Sequence, residues 1–281
     1  MNKRKVDTVV ISDVHLGTYG AHADELLQYL ESIEVRTLIL NGDIIDMWQF
    51  RKKYFPLSHT KVLMRICNMI EEGVMVHYLT GNHDDALRVY SPFKIGHLKL
   101  ADKLLMLRAE KKIWVFHGDV FDASINHTKW IAKLGGVGYD FLIRLNRFVN
   151  NVLKFFKRPP VSLSKKIKKN IKNAVKFISD FENTAIELAI DQEYDYVICG
   201  HIHQATIRKV KTDKGETTYM NSGDWVESLT SLEFNNGKWS IYKYDPADYP
   251  EQSIQYSYSR SFRSSKTFRM TTKLASKLYQ K

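Results

Sequence analysis

Short apolar runs, each closed by a polar cluster, recur along the chain as far as His203. Thr8 to Ile11, Leu38 to Leu40, Val74 to Leu79, Ile113 to Phe116 and Tyr196 to Cys199 are short and rich in β-branched or aromatic residues. That pattern predicts buried strands rather than helices. The closing clusters are Asp13-Val14-His15, Gly42-Asp43-Ile44-Ile45-Asp46, Gly81-Asn82-His83-Asp84, His117-Gly118-Asp119 and Gly200-His201-Ile202-His203. After His203 the alternation becomes that of hairpins. Thr206 to Lys211 and Thr217 to Asn221 flank a turn at Asp213-Lys214-Gly215, and Val226 to Phe234 and Lys238 to Tyr244 flank another at Asn236-Gly237.

Between His117 and His201 the period changes. Trp130, Leu134, Val137, Phe141, Leu145, Phe148, Val152 and Phe155 recur every three or four residues, as on an amphipathic helix, with Gly135, Gly136 and Gly138 able to bend it and Pro159-Pro160 ending it. A second helical run places Ile167, Ile171, Val175, Ile178, Ala185 and Leu188 on one face, with Lys165, Lys168, Lys169, Lys172 and Lys176 largely off it. Two readings stand side by side: a helical hairpin with a solvated lysine face, or a lid that offers an apolar channel beneath cations. Basic amphipathic helices also bind anionic membrane surfaces.

Charge sharpens this division. The chain has 281 residues and a formal net charge of +11. Phe141 to Ser179 carries eleven Lys or Arg and no acid, and Gln252 to Lys281 carries seven more and no acid. The remainder is therefore acidic, with 24 basic against 31 acidic residues, which suits a site for divalent cations. Hydrophobic residues at 44% allow a substantial core. The two cysteines, Cys67 and Cys199, lie in apolar contexts, so no disulfide framework is expected and a reducing compartment is. The apolar run behind the basic N-terminus is too short for a signal-peptide core, and no stretch approaches the roughly 20 apolar residues of a membrane span. The expectation is a cytoplasmic protein, soluble or peripheral on the inner face of the membrane.

The polar clusters carry the chemistry. Ligand sites of open α/β sheets collect at the carboxyl ends of strands, so clusters distant in sequence can converge there. Carboxylate, imidazole and amide oxygen suit divalent ions such as Mn, Fe, Zn or Mg, and the lack of thiolates argues against a structural zinc site. Taken singly each cluster has a plainer explanation: Asp-x-His as decoration, Asn-His-Asp after Gly as turn chemistry, His117 or His201 as a satisfied core histidine. All five in order, each after a strand-like run, predict one dinuclear site.

In that order the clusters resemble the signature of the calcineurin-like metallophosphoesterases, which hold two metal ions and hydrolyse phosphate esters or anhydrides. The resemblance implies an α/β fold, a two-sheet β-sandwich flanked by helices, to which the hairpins after His203 would add the second sheet. It implies one domain over residues 1–245, with a helical lid inserted at about 122–190 and a basic, flexible tail at 246–281. One metal would be held by Asp13, His15, Asp43 and His203, the other by Asp43, Asn82, His117 and His201. Asp43 would bridge ions about 3.5 to 4 Å apart, with Mn the first expectation and a water or hydroxide between them as nucleophile. His83 would donate to a phosphoryl or leaving-group oxygen with Asp84 orienting its ring, and Asp46 and Asp119 would be supporting groups.

The inserted lid is similar to that of one branch, the UDP-2,3-diacylglucosamine pyrophosphatases, which release UMP and a lipid monophosphate. This implies a lipid-linked nucleotide substrate, contacted by Asn82, His83, Asp122, Lys172 and Lys176. Asp122 has an equal alternative as a helix N-cap. The chain departs from the branch at His83, where the branch carries arginine. Two other classes stay open: a phosphodiesterase or nuclease, since basic insertions track nucleic-acid backbones, and a non-catalytic scaffold. The Phe and Leu periodicity of the lid disfavours nucleic acid as a partner, and no obligate protein partner is evident. Asp84 stands where Ser/Thr phosphatases of this superfamily read Gly-Asn-His-Glu.

Overall fold

The computed structural model describes residues 3–48, 54–124 and 171–249. Its first unit, Met1–Tyr244, is built on two sheets. Parallel strands β1 (Arg4–Ile11), β2 (Ile33–Asn41), β3 (Met75–Leu79) and β5 (Leu98–Ala101) run through the first sheet. Its ends are antiparallel: β4 (Phe93–Ile95) beside β5, and β11 (Thr230–Asn235) with β12 (Lys238–Lys243) beside β1. The second sheet runs β6 (Lys103–Arg108), β7 (Lys111–Phe116), β8 (Tyr196–Cys199), β10 (Gly215–Asn221) and β9 (Thr206–Thr212). Each of the five apolar runs read from the sequence is a strand, and each cluster follows a strand's carboxyl end.

Strand alternation decides the layers. In β1, Val10 points between the sheets and Val9 and Ile11 point outward; in β2, Ile39 points between them and Leu38 and Leu40 outward. The inter-sheet core joins Val10, Ile39 and Leu79 to Ile113, Val115, Ile198 and Met220. The outer face of the first sheet packs on α1 (Ala23–Ser32) and α2 (Leu57–Glu71), through Leu26 and Leu30 and through Val62, Ile66 and Met69. The outer face of the second packs on α3 (Ile171–Asp191) through Phe181, Ala185, Ile186, Ala189 and Ile190. Helices thus close both outer faces of a two-sheet sandwich, the α/β class expected from the sequence.

Three expectations need correction. The β11–β12 hairpin joins the first sheet, not the second, with Val10 opposite Leu232. β11 also starts at Thr230 rather than Val226, because Asp224 Oδ1 accepts the N–H groups of Val226 and Glu227 and holds that stretch in a turn. On α3, Ala185 is buried as expected but Leu188 is 39% exposed, the buried stripe being offset toward Phe181 and Ile190. Cys199 is buried, whereas Cys67 is exposed on α2; both are free. Residues 125–170, the greater part of the expected lid, and 250–281, most of the tail, lie outside the described residues, as do the side chains of Asp122, Lys172 and Lys176. Of the second unit, Asp245–Lys281, the described part is a short turn, Pro246–Asp248, capped by Asp245.

One buried group couples this fold to pH. His77 in β3 is buried and faces Lys99 across the β3–β5 register; burial first, then Lys99 and Arg108, hold its pKa at about 4. The unfolded chain binds that proton below about pH 6.5 and the folded chain does not. The contribution of His77 to folding stability is therefore undiminished above pH 6.5 and falls between there and pH 4, by roughly 2 kcal/mol at pH 5. In urea unfolding of metal-stripped protein, the stability of wild type relative to His77→Gln is expected to fall by this amount between pH 7.5 and 5.0, since the other titrating groups are common to both. Identical pH slopes in both proteins would refute the assignment.

Candidate metal centre

The loops after β1, β2, β3, β7 and β8 meet at one end of the sandwich. Backbone hydrogen bonds lock the first two together: Asp13 N–H to Gly42 O (3.1 Å), Val14 N–H to Asp43 O (3.0 Å) and Leu16 N–H to Ile44 O (2.9 Å). The β8 loop is tied to Asp13, whose Oδ2 accepts the His201 N–H at 3.0 Å, and to the β7 loop through Gly200 N–H to His117 O (3.0 Å). Behind them, Asn221 Nδ2 donates to Gly200 O (2.7 Å), and Ser12 and Ser222 hydroxyls meet at 2.7 Å. The turn Asn221-Ser222-Gly223-Asp224 therefore supports the histidine loop.

Five candidate ligands sit in the left-handed region despite carrying side chains: Asp13 (φ 53°), His15 (φ 53°), Asp43 (φ 55°), His201 (φ 67°) and His203 (φ 56°). Non-glycine residues adopt it uncommonly, and at some cost in energy, which the surrounding hydrogen bonds offset. The kinks turn successive side chains inward. Close approach is made possible by glycine: a Cβ on Gly42 (φ 82°) would fall on the His117 ring, and one on Gly81 would fall on Asp43 Oδ1. Gly42→Ala is expected to lower stability by about 3 kcal/mol, the sum of left-handed backbone cost and overpacking. Gly96→Ala, at φ 54° with open space around it, should lose only the backbone share, about 1 kcal/mol. Thermal unfolding of the two variants checks the difference.

The inward side chains form three overlapping groups. Ligand atoms of Asp13, His15 and His203, of His15, Asp43 and His83, and of Asp43, His117 and His201 lie within 4.8 Å of one another. Asp43 Oδ2 stands 3.3 Å from His117 Nε2 and 3.9 Å from His15 Nε2, while His203 Nε2 stands 3.1 Å from Asp13 Oδ1. His117 Nδ1 donates to the Asn41 carbonyl at 2.8 Å, which turns Nε2 to the site. Asn82 Oδ1 is buried without a hydrogen-bond partner, and Asp13 Oδ1 and His117 Nε2 are buried facing the ligand atoms of His203 and Asp43. Buried polar atoms are otherwise nearly always satisfied. Their convergence, with oxygen and imidazole donors and no thiolate, fits a pair of divalent cations. Six of the seven ligands expected from the sequence thus fall in these groups, with Asp43 between them; Asn82 Oδ1 is buried on the β3 loop.

Electrostatics agree with a site for positive charge. Burial would raise Asp13, but His203 and His117 outweigh it and its carboxyl sits at about 2. The same contest, with His117 and then His15 as partners, holds Asp43 well below the usual carboxylate range. Against the effect of burial, Asp43 and Asp13 hold His117 well above an ordinary imidazole, and Asp13 holds His203 at about 9.

His83 stands apart from the expected arrangement in one respect. Its N–H donates to Asp43 Oδ1 at 2.8 Å, but the carboxylate beside its ring is that of Asp46, with Nδ1 3.0 Å from Asp46 Oδ2. Asp84 instead accepts from Ile44 N–H (3.0 Å), Gly81 N–H (2.6 Å) and the Tyr78 hydroxyl (2.6 Å), so it shapes the loop rather than the ring. Burial and the Asp43 charge raise its pKa. Asp46 also lies 3.7 Å from His15 Nδ1, and its pKa falls to about 2, the two histidines outweighing burial. Trp48, which no sequence motif singles out, lies 4.2 Å from the His83 ring, centroid to centroid, at a 32° tilt. Asp119 accepts Arg88 Nη2 at 2.7 Å, and Arg88 also donates to Thr80, linking the β3 and β7 loops.

Several known proteins are similar to this chain. Over 239 residues the chain is 24% identical to the UDP-2,3-diacylglucosamine hydrolase of Blochmanniella pennsylvanica, covering 80% of this chain and 90% of that one. It is 22% identical over 246 residues to the same-named protein of Aliivibrio fischeri, covering 83% and 96%. A solved archaeal phosphodiesterase aligns over 84% of this chain and 98% of its own, at 14% identity and a TM-score of 0.39. The calcineurin-like phosphoesterase family matches residues 7–205, from the first strand through the His201-Ile202-His203 loop. The chain belongs to the calcineurin-like phosphoesterases, metal-dependent hydrolases of phosphoesters.

Proposed function

We propose that the protein hydrolyses the phosphoanhydride of UDP-2,3-diacylglucosamine, or of a related lipid-linked nucleotide, to a lipid monophosphate and UMP. The observation that carries the chemistry is Asp43, whose carboxylate belongs to two candidate ligand groups, one with His15 and His83 and one with His117 and His201. Asp13, His15, Asp43 and His203 would hold one cation and Asp43, Asn82, His117 and His201 the other, Mn by preference, with Fe, Zn or Mg also suited to these donors. Bound there, two such ions supply Lewis acidity toward phosphoryl oxygens and lower the pKa of water. His83 directs its imidazole toward the phosphoryl or leaving-group oxygen, held from behind by Asp46 and flanked by Trp48. Burial lowers its pKa, but Asp46 and Asp43 outweigh burial and raise it, which favours the donor form of the ring.

The substrate rests on the curated relatives, which this chain matches over most of their length. Asp122, Lys172 and Lys176 are assigned to the nucleotide's phosphates and sugar, and the basic insertion and tail to an anionic membrane surface on the cytoplasmic side. No described helix is long and apolar enough to cross a membrane. His83, where the acylated-sugar branch has arginine, favours a second reading, a phosphodiesterase of simpler nucleotides. Mn-dependent release of UMP from UDP-2,3-diacylglucosamine, with Asp43→Ala as blank, separates them. Efficient release establishes the first. Cleavage of bis(p-nitrophenyl) phosphate without UMP release establishes the second.

A further inference from the structure

The fold does not hold the two proposed ligand sets alike. Asp13, His15 and Asp43 stand on loops of neighbouring parallel strands, β1 and β2, which main-chain hydrogen bonds lock together, and the β8 loop with His203 is tied to them by the His201 N–H on Asp13. The set of Asn82 and His117 is more divided. Asn82 follows β3 in the first sheet and His117 follows β7 in the second, so no ladder of hydrogen bonds runs between their strands. His117 is fixed through Nδ1 by the Asn41 carbonyl, whereas Asn82 Oδ1 is buried without a hydrogen-bond partner. The place of Asn82 therefore depends on what holds its loop.

Toward β2 that loop is held by the His83 N–H on Asp43 and by Asp84 on the Ile44 N–H. Toward β7 it is held by Arg88, in the helical turn Asp85–Tyr90. The guanidinium donates through Nε to Thr80 Oγ1 at 3.0 Å, and through Nη2 to Asp119 Oδ2 at 2.7 Å and Thr80 O at 3.3 Å. Thr80 stands two residues before Asn82, and Asp119 two after His117. Both are buried, the Asp119 side chain at 7% exposure. Asp102 accepts from Thr80 Oγ1 at 2.8 Å and lies 3.7 Å from Arg88 Nε, and Asp85 adds a further negative charge. Exposed ion pairs contribute little. This one differs because its acceptors are buried and lie on two loops, which a planar fork of donors can span and a lysine ammonium cannot.

We propose that Arg88 is a positioning residue for the cation of Asn82 and His117. It sets the gap between their loops, so its removal weakens that cation and spares the one held by Asp13, His15 and His203. The inference rests on the ligand assignment proposed above.

The test is Mn binding to the full chain by titration calorimetry, with electron paramagnetic resonance to tell a coupled Mn pair from isolated ions. Wild type is expected to bind two Mn with a coupled spectrum. Arg88→Ala should bind one ion as wild type does and the other about tenfold more weakly, showing isolated Mn at intermediate loading and the coupled pair again at high Mn. Double variants assign the weakened ion: Arg88→Ala should cost little more when added to Asn82→Ala, and should leave both ions weak when added to His203→Ala. Arg4→Ala, which breaks the ion pair with Glu233 at the far end of β1 from Asp13, should leave both affinities unchanged. Saturating Mn should return cleavage of bis(p-nitrophenyl) phosphate by Arg88→Ala to near the wild-type rate. Should Arg88→Ala not fold, Arg88→Lys decides, because lysine keeps the charge beside Asp119 without spanning Thr80: a loss confined to the same ion supports the proposal, and unchanged affinities overturn it. Wild-type affinities in Arg88→Ala, an equal loss at both ions, or low turnover with both Mn bound also overturns it. A wild type that binds fewer than two Mn refutes the ligand assignment itself, and this proposal with it.

Discussion

Asp43→Ala is expected to lose both cations and turnover together, with activity down by at least about a thousandfold. The expectation follows from its position between the ligand groups, 3.3 Å from His117 Nε2 and 3.9 Å from His15 Nε2. Removing one terminal ligand weakens one ion, whereas removing the shared carboxylate weakens both and leaves their mutual repulsion unscreened. Folding of the metal-stripped variant should suffer less, about 1–3 kcal/mol, because alanine chiefly deprives the His83 N–H of its acceptor. The wild type should gain about 4 kcal/mol in Mn at a thousand times its dissociation constant, and the variant almost none. Metal content, thermal unfolding with and without Mn, and diesterase turnover measure the three effects. Asp43→Asn keeps the acceptor and drops the charge, so retention of both metals in that variant would show that the bridging charge is dispensable and sink the dinuclear scheme.

The candidate ligands were legible in the sequence because each stands within four residues of the end of a strand whose apolar run is itself local. What the sequence did not disclose depends on distant contacts. Asp84 is adjacent to His83, yet its oxygens are drawn back to Ile44 and Gly81 N–H groups, and the ring turns to Asp46, which arrives from β2. The β11–β12 hairpin was readable from its alternation and its Asn236-Gly237 turn. Its sheet was not, since that depends on Leu232 meeting Val10 at the edge of the first sheet. The left-handed backbone at Asp13, His15, Asp43, His201 and His203 leaves no mark, because none of these is glycine. On α3 the period was right and the phase was set by packing. Phe181 closes on the bare backbone of Gly118, where a Cβ would overlap its ring, and draws the buried stripe with it.

His83→Ala is expected to keep both metals and lose about two to four orders of magnitude in turnover of the lipid-linked nucleotide. The proposed ligand set does not include its ring, and the N–H that it gives to Asp43 Oδ1 is backbone and survives the substitution. Asp46→Asn should cost less, about tenfold, since the imidazole remains and loses its holding partner. Because Asp46 also lies 3.7 Å from His15 Nδ1, that variant should loosen a metal slightly as well, which His83→Ala should not. The leaving group separates the two possible roles of the ring. If His83 protonates the departing oxygen, the deficit of His83→Ala shrinks sharply on a p-nitrophenyl ester, whose phenolate departs without a proton. If it donates to a non-bridging phosphoryl oxygen, both substrates lose the same factor. Proton donation is the expected outcome, since Asp46 stands at Nδ1 and, with Asp43, raises the pKa of the ring against the effect of burial. A deficit below about threefold on both substrates, with metals bound, would remove His83 from catalysis altogether.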